Sequence, residues 1–355
     1  MNTPQPQTNS ILVGDIGGTF SRFRLLEPSN GYSRIRHTAT WRSTDFGSLE
    51  EAIDCYLKQL SRLERARIQS SWLAVAGPVQ GNRVQFTNLP WETDAESLEM
   101  ALRLPQVHLV NDLEALAHAV PSFRNQDVVN VQGEHSKNTG RGLVIAVGTG
   151  LGTATWEQTA TGIHTHPSEG GHTDFAPLNE LHLRLLRDLQ ADYEHVSYER
   201  LLSGDGLSRI YQHLQDPSEP GSDDRTAPTF RSPEQIMLLA DREHNVIAQR
   251  ALHLFSELLG AFAGNAALHA MATAGVLLAG GLCVRLHPYI VSDHFRNAFC
   301  AKGRMRPLLE SIPVSVASNP DAGLIGMTQL VQNRIDSSGR ARAPQTTFPP
   351  NAAET

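Results

Sequence analysis

Asp15 stands among glycines in Gly14-Asp15-Ile16-Gly17-Gly18-Thr19, where one apolar run ends and a second run of alternating character leaves. Glycines let backbone N–H groups approach an anion closely. A carboxylate beside them suits hydrated Mg²⁺, held by Asp15 through water, because Mg²⁺ binds through one or two carboxylates plus substrate phosphates. The combination points to a phosphate-binding turn. Two further glycine turns follow apolar runs, at Gly148-Thr149-Gly150-Leu151-Gly152 and at Ala279-Gly280-Gly281. None leads into Gly-Lys-Ser/Thr, so none is a P-loop. The 148–152 run exits into a strand, where a dinucleotide fingerprint would open a helix. One such turn alone reads as a tight hairpin; three, one of them carrying a carboxylate, read as a split nucleotide site.

Two other groups could do chemistry. Val110-Asn111-Asp112 ends a short apolar run, and open α/β sheets bind ligands at the carboxyl ends of their strands. Asp112 there could be a general base or a helix N-cap; local sequence favours the cap, and the roles are not exclusive. The stretch from His166 to Asp174 gathers Glu169 and His172 around Gly170-Gly171. It reads as polyol recognition by hydrogen bonding to vicinal hydroxyls, as a polar surface loop, or as a metal set of His164, His166, His172 and Asp174. The last lacks any familiar ligand spacing. Glu199, by itself, reads as an ordinary helical surface glutamate.

The elements that must position these residues follow from periodicity. Strands are expected at 10–16, 21–27, 71–77 and 82–87, and a helix over 48–67 with Leu49, Ile53, Tyr56 and Leu60 on one face. Thr93-Asp-Ala-Glu reads as a capping box with Thr93 at the N-cap. A strand at 107–110 leads into a helix that runs from Asp112 to Val120 and is closed by Pro121. Residues 142–156 repeat the strand–glycine turn–strand of the opening, roughly 130 residues later, which suggests an internally duplicated fold. Helices dominate 178–272, with Ser232-Pro233 as one start; 215–230 reads as an exposed loop. A strand at 275–278 precedes the third glycine turn, and a last helix runs from Pro320 to Gln332.

Length and composition set the bounds. A chain of 355 residues favours two domains. The expected division is a disordered lead at 1–9, a small α/β domain of 10–121 plus 319–334, a large α/β domain of 122–318, and a disordered tail at 335–355. A net charge of −7 argues against a nucleic-acid partner, whose footprint is basic. Cys55, Cys283 and Cys300 form no CxxC pair and read as reduced, mostly buried thiols of a cytoplasmic protein. The N-terminus lacks the basic and apolar parts of a signal peptide. No apolar run approaches the roughly 20 residues needed to cross a bilayer; the longest, Gly275 to Val284, reads as a buried strand and turn, so no membrane partner is expected.

Taken in order, these motifs resemble the bacterial glucokinases of the hexokinase/actin-like ATPase superfamily. The resemblance runs from about residue 11 to 330. It rests on Leu12-Val-Gly-Asp-Ile-Gly-Gly-Thr19 with Arg22, Thr87-Asn88 with Trp91, Val110-Asn-Asp112 and Gly148-Thr-Gly-Leu-Gly152. Glu169-Gly-Gly-His172 with Asp174-Phe-Ala-Pro177, Ser197-Tyr-Glu199-Arg200 with Leu202-Ser-Gly204, and Ala279-Gly-Gly281 complete it. The resemblance implies a two-domain, ribonuclease H-like α/β fold with a deep interdomain cleft. It implies sugar contacts from Asn111, Asp112, Glu169, His172 and Glu199, with Asp112 as catalytic base. It places the phosphates of ATP at Gly14–Thr19 and at Gly148, Thr149, Gly150 and Gly152, and the adenosine near Gly280 and Gly281. It implies an ATP- and Mg²⁺-dependent kinase of a hexose, D-glucose first, and a homodimer. The cysteine cluster that binds zinc in the related repressor/kinase branch is absent. One position departs: the family has Asn after Gly-Gly-Thr, and here it is Phe20, a change expected to spare the loop's geometry but to touch nucleotide affinity, turnover or sugar choice. The competing reading is a catalytically weak or inactive sugar-binding sensor on the same fold, or a kinase of another hexose.

Overall fold

Alternation along the first strand sorts side chains to two faces. Ile11 and Val13 join one buried cluster and Leu12 and Ile16 another, so this strand is covered on both sides. In the computed structural model, which describes residues 9–29, 32–87, 89–133, 140–159, 162–215 and 230–335, that strand is the centre of the first of two units. Unit one is Met1–Ser122 with Pro320–Thr355, and unit two is Phe123–Asn319. Residues 1–8 of the expected lead, 216–229 of the expected loop, 336–355 of the expected tail, and Asn88 lie outside the described residues.

Unit one begins with β1 (Ser10–Ile16), β2 (Phe20–Ser29) and β3 (Tyr32–Arg42), followed by α1 (Leu49–Gln59) and α2 (Arg62–Ala66). The expected single helix over 48–67 is therefore two. Leu60 takes extended backbone, and Ser61 starts afresh as N-cap in a reciprocal capping box with Glu64. Next come β4 (Ile68–Val75), three short strands β5 (Val79–Gln80), β6 (Arg83–Gln85) and β7 (Glu92–Asp94), then α3 (Ala95–Leu102), β8 (Val107–Asn111) and α4 (Asp112–Ala119). Two caps differ from expectation. Asp94, not Thr93, caps α3 through the Ser97 amide, while the Thr93 hydroxyl bonds Glu50 from within β7. Asn111, not Asp112, caps α4. Strand β3 was not foreseen. After α4 a single 3₁₀ turn, Val120–Ser122, carries Pro121.

Unit two holds β9 (Val128–Gln132), β10 (Arg141–Val147), β11 (Leu151–Thr159), β12 (Gly162–Ser168), α5 (Glu180–Asp192) and α6 (Gly204–Leu214). It continues with α7 (Pro233–Arg242), α8 (Val246–Ala270), β13 (Gly275–Ala279), α9 (Gly281–Ile290), α10 (Asp293–Cys300), α11 (Arg306–Ser311) and β14 (Val314–Ala317). The final helix, α12 (Ala322–Arg334), belongs to unit one, where it packs Leu324, Met327, Leu330 and Val331 against Ile11, Val13 and Trp72. At 25 residues α8 is long and apolar enough, by length and mean composition, to cross a membrane, yet it is not an unbroken apolar run and 72% of its apolar window is buried in unit two. Gln249, Arg250, His253, Ser256, Glu257, Asn265 and His269 interrupt its apolar residues.

The two main sheets share a topology. Unit one orders its strands β3-β2-β1-β4-β8, and unit two β12-β11-β10-β13-β14 with β9 added at the edge. In each, a hairpin and third strand pair antiparallel, and two further strands join in parallel. The repeat that two glycine turns suggested is thus a repeat of five strands.

Candidate functional site

In unit one, register brings the carboxyl ends of three parallel strands level. Ile16 pairs with Val75, and Val75 with Asn111. Asp15 and Asp112 therefore emerge at the same end of the sheet, the end where open α/β sheets bind ligands. Asp112 Oδ1 accepts from the Leu113 amide at 2.9 Å. Burial, and then the charge of Asp15, push the Asp112 carboxyl up to about 7. A carboxylate poised near neutrality suits proton acceptance.

Asp15 is also raised by burial, against the pull of Arg22, whose Nη1 lies 3.4 Å from Asp15 Oδ2. Asp15 and Arg22 are direct partners across β1 and β2. On its other side Asp15 meets Gly323, near the start of α12; a Cβ there would lie 2.5 Å from the Asp15 carboxyl. Only glycine lets the helix come this close, a requirement that the local pattern around Gly323 did not reveal.

The Gly14–Thr19 turn is closed by the Gly17 amide donating to the Phe20 carbonyl at 2.9 Å. Ser43, which sequence reasoning missed, braces it: its hydroxyl donates to the Gly17 carbonyl at 2.6 Å and its amide to the Thr19 carbonyl at 3.0 Å. No local motif marks Ser43, because it arrives from the far end of β3. Gly14 and Ile16 are buried, so Ile16 offers only backbone to a ligand, while Gly17 and Gly18 are half-buried and Thr19 is exposed. Asn111 is largely committed to structure: its amide donates to the Gly77 carbonyl at 3.0 Å and its Oδ1 accepts from Leu113 at 3.0 Å.

In unit two the other groups converge. Glu199, placed by a 3₁₀ turn at Tyr198–Arg200, accepts the Leu151 amide at 2.9 Å through Oε2. His172 Nδ1 lies 3.9 Å from Glu199 Oε1, and its Nε2 3.8 Å from Glu169 Oε2, so the imidazole sits between two carboxylates. Gly171 is pressed on β11, where a Cβ would lie 1.9 Å from the Leu151 carbonyl oxygen. The Phe175 amide donates to the Val196 carbonyl and the Tyr198 amide to that of Thr173, tying the two loops together. A pocket of about 250 Å³ is lined by His172, Ser197 and Glu199 together with Tyr193, Glu194, His195 and Arg200.

The two remaining glycine turns meet in the same unit. Gly148 donates to the Gly150 carbonyl at 3.0 Å, and Gly204, opening α6, donates to Gly148 at 2.9 Å. Thr149 is exposed, while Gly148, Gly150 and Gly152 are half-buried. Gly280 has φ of +88°, and a Cβ would lie 2.4 Å from the Val147 carbonyl oxygen. Both conformation and space demand glycine there. Gly281 then opens α9 and is exposed.

The histidine-rich metal set does not form. His164 and His166 lie on β12 opposite Glu157 and Thr155, and Asp174 bonds His195 at 2.8 Å. Among the described residues no three His, Cys, Asp or Glu side chains converge as a metal cluster. Mg²⁺ needs fewer protein ligands. The partly buried Asp15 carboxylate, whose charge helps raise that of Asp112, fits a hard divalent cation completed by water and phosphate.

The glucokinase family model matches residues 12–334. The chain is 35% identical over 333 residues to the glucokinase of Trichormus variabilis, covering 89% of this chain and 97% of that one. It is 36% identical over 317 residues to that of Psychromonas ingrahamii, covering 89% and 94%. The crystal structure of a glucokinase from an Antarctic psychrotroph superposes with a TM-score of 0.78 at 30% identity, covering 92% of this chain and 99% of the other.

Proposed function

The chain belongs to the glucokinase family, and on that premise we propose that it transfers the γ-phosphoryl group of ATP to the 6-hydroxyl of D-glucose, with Asp112 as general base. The observation that carries the assignment is the strand register that sets Asp112, directly after β8, level with the Asp15 turn, where burial raises its carboxyl to about 7. A carboxyl held near neutrality can accept a proton at physiological pH.

The reaction balances simply. The sugar hydroxyl loses its proton to Asp112 as its oxygen attacks the γ-phosphorus in line, and ADP leaves with the electrons of the broken P–O bond. Glu169, His172 and Glu199 bind the other hydroxyls, with Asn111 adding what its amide has left. The turns at Gly14–Thr19 and at Gly148, Thr149, Gly150 and Gly152 receive the phosphates through backbone amides other than those of Gly17 and Gly148, which the turns themselves bond. The adenosine would lie near Gly280 and Gly281, where a Cβ on Gly281 would meet no neighbour. Asp15 would hold Mg²⁺ through water, and the ion would supply charge neutralisation to the phosphates of ATP. Orientation and fixed dipoles carry most of the acceleration. The reading places the protein in the cytoplasm, where ATP is supplied.

The test is turnover. Purified protein with Mg-ATP and a panel of hexoses and amino sugars, followed by ADP release, should show glucose as the preferred acceptor. Preference for another sugar would move the specificity. Tight sugar binding without ADP release would replace the kinase reading with that of a sensor.

A further inference from the structure

Phe20 opens β2 directly after the Gly14–Thr19 turn and leaves 37% of its surface exposed. A large ring left half in water beside a polar turn needs a physical reason, and its neighbour supplies one. Side chains two apart on a strand share a face, and the Arg22 guanidinium lies over the Phe20 ring, 5.2 Å from its centre. The same guanidinium reaches Asp15 Oδ2 at 3.4 Å. Arg22 thus has an aromatic face on one side and a partly buried carboxylate on the other. Its own side chain is 18% exposed and that of Asp15 15%. The ring restricts the guanidinium and sheds water from the ion pair, and both effects strengthen it.

We propose that Phe20 is a positioning residue for the phosphate turn: its ring supports Arg22, Arg22 fixes the Asp15 carboxylate, and binding of Mg-nucleotide depends on that support. The proposal rests on the kinase reading of the turn. It assigns to Phe20 no contact with the sugar. It also predicts which replacement works: another aromatic side chain retains the π face, whereas an aliphatic one of similar bulk does not.

The experiment is equilibrium binding by calorimetry, with Mg-AMPPNP and glucose titrated separately into the wild type, Phe20→Leu and Phe20→Tyr. Mg²⁺ is also titrated at fixed nucleotide. Phe20→Leu should weaken Mg-AMPPNP by about three- to fivefold, the size of an exposed cation–π contact, and raise the Mg²⁺ needed for half-saturation. Phe20→Tyr should bind as the wild type does, and glucose affinity should be the same in all three. Melting without ligand checks that each variant is folded. Wild-type nucleotide affinity in Phe20→Leu overturns the proposal. So does failure of Phe20→Tyr to preserve affinity, or an equal loss for glucose. A wild-type protein that binds no Mg-AMPPNP overturns the kinase reading itself, and the proposal with it.

Discussion

The Glu199 carboxylate accepts the backbone amide of Leu151 at 2.9 Å, which joins a residue of the proposed sugar set to the glycine turn proposed for phosphate. The contact is tight: a Cβ on Gly150 would lie 2.7 Å from the same Oε2. Glu199→Ala should therefore affect two ligands. It removes a hydroxyl partner and leaves the Leu151 amide without its acceptor, an omission that costs about 1–3 kcal/mol where water cannot compensate. Glucose and Mg-AMPPNP affinities should both fall. Glu169→Gln and His172→Ala, on side chains that are exposed and apart from the turn, should weaken glucose alone. Separate titrations decide it; a Glu199→Ala protein with unchanged nucleotide affinity would show the two functions to be independent.

Asp112→Asn keeps the shape of the side chain and can still accept the Leu113 amide, but it removes the base. The expected loss in kcat is at least about 10²–10⁴-fold, with little change in the equilibrium affinity for glucose. Steady-state rates beside calorimetry check this. Turnover near the wild-type level would remove Asp112 from the chemistry.

The raised Asp112 carboxyl has two pH signatures. Activity should rise with pH to a plateau above about 7 and fall by about tenfold per unit well below it. Stability should run the other way. The folded-state value lies above the ordinary value of an aspartate, 3.8, so the native state holds the proton more tightly than the unfolded chain does. The contribution to stability is full below about 4 and is lost as pH rises through about 7. Asp112→Asn should accordingly gain melting temperature relative to the wild type more at pH 8 than at pH 5. An equal difference at both values would contradict the shift.

Gly323→Ala places a methyl group 2.5 Å from the Asp15 carboxyl. Either α12 or Asp15 must move, and overpacking of this kind costs about 1–3 kcal/mol. We expect a lower melting temperature together with a higher Mg²⁺ requirement in the kinase assay. A variant that melts lower with an unaltered Mg²⁺ titration would free Asp15 of the metal role.

Much of the framework is legible without coordinates. Glycine after an apolar strand marks all three turns, although only Gly280 among their glycines takes a positive φ. The doubled strand–turn–strand pattern anticipates the shared five-strand topology. Errors fall where two residues compete for one local task. Thr93 and Asp94 are both good caps, as are Asn111 and Asp112, and the choice depends on β-pairing and on the Gly77 carbonyl, which no local window contains. Likewise Leu60 and Ser61 split a helix whose apolar spacing runs on without a break.

By itself, then, the sequence determined the elements, the glycine turns and the residue types able to act as base and as hydroxyl partners, since these depend on backbone preference and side-chain chemistry. Only the tertiary structure decided that Asp112 is relieved of capping by Asn111, that strand register levels it with Asp15 and raises its carboxyl, and that Gly323, from the far end of the chain, closes on Asp15. The physical reason is common to all three: burial, charge proximity and close approach depend on neighbours distant in sequence, and these exist only once the chain has folded.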